Sequence, residues 1–343
     1  MTSTKELLSA LDKAIGDNDQ EQAVTQFIDT GYPPLNYALS GRYDGGLPFG
    51  RIVEMYGPSS AGKTALATAW MVAAQKMGGC AIFIDWERSF NQALAVNFGL
   101  NIERPHWIYK RPRTWEEGNL VAARACQLIR ESKAIPDDAP ILVVADSVAA
   151  AVPQSMVGKT IDDLNMNDTT ALARVTSTTL KAINLHVTDF NATYLYLNQI
   201  RTKPGVVYGD PTTTPGGGAM EFYATCRMAL GRKKLVEDRG GEKVLSGQVI
   251  SIKVVKNKLT APFKDAEIRM SFDEAGIAHL DVVTSTLEFM VLKGLLPYSK
   301  PRVTWIDGKQ YFVKSLAEKI RSEGGEADLK ALLLSKLAGK VAT

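Results

Sequence analysis

The sequence predicts an α/β fold with a mostly parallel central sheet, on three observations. Apolar, β-branched runs alternate with longer Ala- and Leu-rich stretches from about residue 34 to residue 277, the pattern of strands covered on both faces by helices. A Gly-rich turn at residues 57–64 joins one such run to one such stretch. Three of the apolar runs end in acids or amides, at the strand ends where ligands of open α/β sheets sit.

In chain order, Leu7, Leu8, Leu11 and Ile15 share one helical face, ahead of the polar stretch Gly16 to Gln22. Such a helix has no core of its own and must pack on the main body or on a neighbouring subunit. Residues 1–33 are therefore read as a packing helix and linker, 34–277 as the core, and 278–343 as a small C-terminal α/β lobe. In that lobe the sequence predicts a helix near Val282–Lys293, a short hairpin around Trp305, Tyr311 and Phe312, and basic helices running to Thr343.

A chain of 343 residues, 45% hydrophobic, can bury one large core and a smaller lobe. A net charge of +3 means that any nucleic-acid site must be a local patch. Cys80, Cys126 and Cys226 form no CxxC pair, and His106, His186 and His279 have no metal-ligand spacing, so a reduced, cytoplasmic chain is expected. Lys5, Glu6, Asp12 and Lys13 break up the N-terminal apolar positions, unlike a signal peptide. No apolar run approaches the ~18 residues of a membrane span, and no membrane partner is expected.

Gly57, Pro58, Ser59, Ser60, Ala61, Gly62, Lys63 and Thr64 satisfy the G-x-x-x-x-G-K-[ST] pattern. The apolar run Arg51–Tyr56 reads as a strand and the Ala-rich run Ala65–Ala74 as a helix. That context turns successive backbone N–H groups inward, at a helix N-terminus that adds positive potential. Lys63 is expected to reach the β- and γ-phosphates of ATP, with the Thr64 hydroxyl on Mg²⁺.

Three further strands end in polar groups suited to this chemistry. The run from Cys80 ends in Asp85 and Glu87, which period-2 alternation places on the same side; Glu87 is the expected activator of the attacking water. The run Ile141–Asp146 is an apolar strand whose terminal Asp matches a carboxylate that holds Mg²⁺ through water. The run Thr193–Asn198 is followed by Gln199, an amide able to sense a γ-phosphate.

Several blocks resemble the RecA-type recombinases. They are Leu47–Glu54 with the phosphate loop behind it, Phe83–Glu87, Val144–Ala150, Asn198–Gly205, Tyr208–Thr214 with Gly216–Ala219, and Val254–Lys258 with Ala261–Phe263. They follow one another in the family's order over most of residues 1–315. The resemblance implies a RecA-type P-loop ATPase core with an N-terminal polymerisation helix, ATP and Mg²⁺ as cofactors, and a homo-oligomeric helical filament on single- and double-stranded DNA. It also implies roles for single residues: Glu87 activates water, Asp146 supports Mg²⁺, and Gln199 couples the γ-phosphate to the loop that starts at Arg201. Lys256 and Lys258 match two lysines that reach ATP on the next protomer, and alternation on a strand would place both on one face. Phe222 matches a subunit-interface position.

DNA contacts are expected from the loop at 201–217, with Arg201, Lys203, Gly216 and Gly217, and from a helix carrying Arg174 and Lys181, seven residues apart on one face. A loop at about 152–170 with Lys159 precedes that helix. Such contacts grip phosphate and carry little sequence information.

The chain also departs from the family pattern. Leu94 stands near the position where the family stacks adenine on a Tyr, and Glu221 stands where a Lys is common. The first DNA loop is longer than in the usual bacterial protein. The C-terminal stretch from Leu329 is basic and apolar where the family carries an acidic tail, which points to weaker restraint on duplex binding and to a phage- or plasmid-borne copy. Two alternatives share the phosphate loop: a hexameric helicase or translocase of the same fold, and a non-catalytic protein that coats DNA under ATP control.

Overall fold

The computed structural model describes residues 23–163, 168–202, 212–273 and 277–341. The expected packing helix around Leu7–Ile15 and the DNA-loop residue Lys203 lie outside the described residues.

Near the start, β1 (Phe27–Ile28) pairs with β2 (Leu47–Pro48), with α1 (Pro33–Ser40) between them. Ile28 and Tyr32 are buried in the main core. The core thus begins at about Phe27, earlier than the expected boundary at 33/34, because the first short strand finds its partner inside the core.

The strands of the main sheet are β3 (Ile52–Tyr56), β4 (Cys80–Asp85), β5 (Trp107–Lys110), β6 (Ile141–Asp146), β7 (Ala192–Asn198), β10 (Cys226–Arg239), β11 (Glu242–Asn257), β12 (Asp265–Phe272) and β13 (Ala278–Asp281). Their spatial order is β13-β12-β11-β10-β3-β7-β6-β4-β5. From β10 to β5 every pairing is parallel. The remaining strands extend the sheet antiparallel from β10. Strands β3, β4, β6 and β7 are buried along their whole length, as continuous apolar runs in a doubly covered parallel sheet should be.

On one face α2 (Lys63–Lys76) packs Leu66, Trp70 and Met71 into a core with Val53, Phe83, Val144 and Leu195. On the other, α4 (Trp115–Glu131) and α5 (Asp168–Asp189) cover Ile82, Ile84, Val143 and Tyr194. Short α3 (Gln92–Asn97) and α6 (Gly218–Tyr223) border the strand ends, and β8 (Arg201–Thr202) pairs with β9 (Thr212–Thr213). All three cysteines are free and buried.

The C-terminal lobe has its own core, with Val283, Leu287, Met290, Val303, Leu316 and Leu333. It comprises α7 (Val282–Leu292), α8 (Val313–Ser322), α9 (Glu326–Val341) and a sheet ordered β14 (Tyr298–Ser299), β15 (Arg302–Thr304), β16 (Gln310–Phe312). The expected hairpin around Trp305, Tyr311 and Phe312 is present as β15 and β16, and Tyr298 and Ser299 add a third strand to it. The seam falls after Asp281 rather than at 277/278, because β13 still pairs with β12. Among the described residues no helix is long and apolar enough to cross a membrane.

Candidate functional site

The loop Gly57–Gly62 leaves the C-terminal end of β3 and enters α2 at Lys63. No side chain caps that helix, and its first turn carries no acid. Its leading N–H groups are therefore open to an anion. Gly62 has φ +90°, and a Cβ there would lie 2.4 Å from the Ile250 side chain; only glycine lets the loop lie this close to β11. Lys63 folds back along the loop, with Nζ donating to the carbonyls of Gly57 at 3.0 Å and Pro58 at 2.9 Å. Burial lowers its pKa against the opposing charges of Asp146 and Glu87.

The strand ends converge beside this loop because β3, β7, β6 and β4 are parallel neighbours in register, Tyr56 opposite Asn198 and Asp85 opposite Asp146. Thr64 Oγ1 donates to Asp146 Oδ2 at 3.0 Å. Burial, then the nearby Glu87 charge, pushes the Asp146 carboxyl up to about 7. A buried carboxylate beside a hydroxyl is a hard oxygen donor set that suits Mg²⁺. The Asp146–Ser147 peptide is cis. Ser147 Oγ donates to Glu87 Oε1, and Gln199 Nε2 donates to the same oxygen at 3.4 Å.

The expectation that Asp85 and Glu87 point to the same side is corrected. The strand ends at Asp85, so alternation stops there. Asp85 is buried and accepts from Tyr109 Oη at 2.8 Å and from the backbone N–H groups of Arg88 and Phe90. It braces the turn after β4 towards β5, while Glu87 turns to β6 and β7.

Beside Thr64 lies a cavity of about 560 Å³ lined by Thr68, Phe90, Asn91, Leu94, Phe98 and Ile277, among others. Leu94 is 46% exposed within this region, so an apolar side chain stands open beside the loop, among polar ones such as Thr68 and Asn91.

Lys256 is the last residue but one of β11, while Lys258 lies just past the strand's end at Asn257. Both still reach one place. Lys256 Nζ donates to the Glu221 carbonyl and, at 2.9 Å, to that of Phe222; Lys258 Nζ donates to Phe222 at 3.3 Å. Lys256 pairs across to Arg227, which pairs with Glu54 midway along β3. Neither lysine hydrogen-bonds the phosphate loop of its own chain among the described residues. Phe222 is 68% exposed on α6, so this aromatic belongs to the surface and not to the core.

The DNA candidates divide by placement. Arg174 and Lys181 are exposed on α5, with exposed Thr178 between them. Arg201 is exposed in β8, opposite Thr213. Lys159 is ion-paired to Asp168 at 2.6 Å. Gly216 is buried against Val148 and Thr176. Gly217 has φ +70°, and a Cβ there would fall 2.9 Å from Ala173, so this turn seats the loop base on α5.

Sequence reasoning missed several residues that hold the site. Gln248 Nε2 at 3.2 Å and Arg232 Nη1 at 3.4 Å both donate to the carbonyl of Ser60 at the tip of the phosphate loop. Ser147 was legible only as the residue after a terminal Asp. Glu54 and Arg227 form a buried pair at 2.6 Å across β3 and β10. Only an acid inside an otherwise apolar strand hinted at that pair.

Residues 9–278 match the family model described as the RecA N-terminal domain. The chain is 39% identical over 265 residues to Protein RecA of Bacteroides thetaiotaomicron, covering 77% of this chain and 73% of that protein. It is 36% identical over 267 residues to Protein RecA of Lactococcus lactis subsp. cremoris, covering 78% and 65%. With Protein RecA of Streptococcus equi subsp. zooepidemicus the identity is 38% over 255 residues, covering 74% and 63%. The match thus spans under two thirds of the length of the latter two relatives.

Proposed function

Because this chain belongs to the RecA family, we propose that it is a DNA-dependent ATPase that assembles on single-stranded DNA and promotes homologous pairing and strand exchange in recombination and repair. The observation that carries this reading is the convergence of Lys63, Thr64, Asp146, Glu87 and Gln199 at adjacent ends of parallel strands. Gln199 also begins the segment that leads to the exposed Arg201.

In this reading the loop Gly57–Thr64 binds the triphosphate through its backbone N–H groups and Lys63. Thr64 and Asp146 hold Mg²⁺, which when bound neutralises phosphate charge. Glu87, oriented by Ser147, takes the proton of the attacking water. Gln199 reports the γ-phosphate to the loop base. Lys256 and Lys258 meet the phosphates of the adjacent protomer and shield charge developing in the transition state. Arg174, Lys181 and Arg201 grip the DNA backbone, and Watson–Crick pairing between strands supplies sequence specificity.

Glu87 supports a hydrolytic reading over a non-catalytic switch. Among the described residues, no feature favours the ring-forming helicase. Electron microscopy with ATP and single-stranded DNA tests the proposal: helical filaments are expected from the native chain and none from Lys63→Ala, while closed rings or normal Lys63→Ala filaments would overturn it.

A further inference from the structure

The guanidinium of Arg227 divides its donors among three elements. Its Nε donates to Glu54 Oε2 of β3 at 2.6 Å. Its Nη2 donates to Thr214 Oγ1 at 3.4 Å, just after β9. Its Nη1 lies 3.3 Å from Glu221 Oε1 on α6. The guanidinium also sits over the Tyr56 ring, 5.1 Å from its centroid, and Tyr56 immediately precedes the phosphate loop.

Glu54 is fully buried and completes the arrangement from the other side. Its second oxygen accepts from Asn198 Nδ2 at 2.9 Å, and the same amide donates to the Pro215 carbonyl at 2.9 Å. Asn198 Oδ1 in turn accepts from the backbone N–H of Gln199. A continuous path therefore runs from Glu87 through Gln199, Asn198, Glu54 and Arg227 to Glu221. Lys256 grips the carbonyl of that last residue.

We infer that Arg227, held by Glu54, is a positioning residue that ties three parts of the molecule together: the strand entering the phosphate loop, the base of the DNA-contacting loop, and the helix that presents Phe222 and receives Lys256. This inference rests on the recombinase reading and deepens it. Three considerations favour it over mere stabilisation. A buried ion pair is a poor source of net stability compared with apolar packing, so its value lies in geometry. A planar fork fixes three partners at once, whereas an ammonium acts as a point charge. The pair also bonds to the two described flanks of the DNA loop, Glu54 to Asn198 and Arg227 to Thr214, so neither flank can shift without disturbing Glu54 or Arg227. Glu221 gives this chain the third arm of the fork.

The test measures binding of a fluorescein-labelled oligo-dT by anisotropy, with ADP and with a non-hydrolysable ATP analogue. The ratio of the two dissociation constants reads the coupling between the sites. The native chain should bind more tightly with the analogue. Arg227→Lys keeps the charge opposite Glu54 but loses the fork. It should lower the ratio roughly fivefold or more towards unity, with analogue binding in the absence of DNA unchanged. Thr214→Val and Glu221→Ala each remove one arm, the first at a buried partner and the second at an exposed one; each should lower the ratio in part, and they carry the test if Arg227→Lys does not fold. A native ratio above one that survives in every folded variant overturns the inference. A native ratio of one overturns the recombinase reading, and the inference with it.

Discussion

Gln199 donates its side-chain amide to Glu87 at 3.4 Å, joining the end of β7 to the turn after β4. In the proposed mechanism, an amide on the water-activating carboxylate, and at the root of the DNA loop, would tie DNA occupancy to hydrolysis. Gln199→Ala should retain nucleotide binding and lose stimulation of hydrolysis by single-stranded DNA. Steady-state rates with and without DNA check this, and undiminished stimulation would remove Gln199 from the coupling.

Ser147 is buried and donates to the same Glu87 oxygen. Ser147→Ala should lower kcat on the order of 10-fold with KM for ATP little changed, because it loosens the base without deleting it. Glu87→Gln should lower kcat by about 10²-fold or more. Equal effects on kcat from both would mean that Ser147 does more than orient Glu87.

Lys256 and Lys258 project from the core onto the end of α6, away from their own phosphate loop. Lys256→Ala should impair hydrolysis, and mixing it with Lys63→Ala should restore part of the activity, since some interfaces then combine an intact loop with an intact lysine. A mixture as inactive as its components contradicts action across subunits.

Leu94 lines the cavity next to Thr64. An aromatic ring there adds stacking worth about 0.5–1.5 kcal/mol. Leu94→Tyr should therefore lower KM for ATP roughly 2- to 10-fold by that measure, with kcat unchanged. Nucleotide titration of the variant measures the change.

Asp29 and Lys330 link the core to the last helix. Burial pushes the Asp29 carboxyl up, but hydrogen bonds from Lys330 and Asn36 outweigh it and hold the group below its ordinary value. A carboxylate depressed in this way stabilises the folded state above its unfolded pKa, and that contribution is lost as pH falls through the folded value. Both side chains are over a third exposed, so the effect is modest. Below about pH 4, hydrogen exchange in Glu326–Val341 should rise ahead of exchange in the main sheet. Lys330→Met should remove that pH dependence.

The strand–loop–helix around Lys63, the apolar strand ending at Asp146 and the strand ending at Asn198 were legible because each is a continuous apolar run that stops at a polar residue. Local pattern also placed Arg174 and Lys181 on one helix face. What it missed depends on partners distant in sequence. Asp85 braces a turn through Tyr109 on the neighbouring strand, and no spacing along the chain reveals that. The clamp of Gln248 and Arg232 on Ser60 depends on how β10 and β11 extend past β3. Arg227 reads as one more polar residue in a strand until Glu54, Thr214 and Glu221 are seen around it.

The central claim is that ATP hydrolysis here answers to single-stranded DNA. The most direct measurement is the hydrolysis rate without DNA, with single-stranded DNA and with duplex DNA, each at low and at raised salt. Strong stimulation by single strands that fades with salt is expected from backbone contacts of this kind. Equal rates under all conditions would contradict the account.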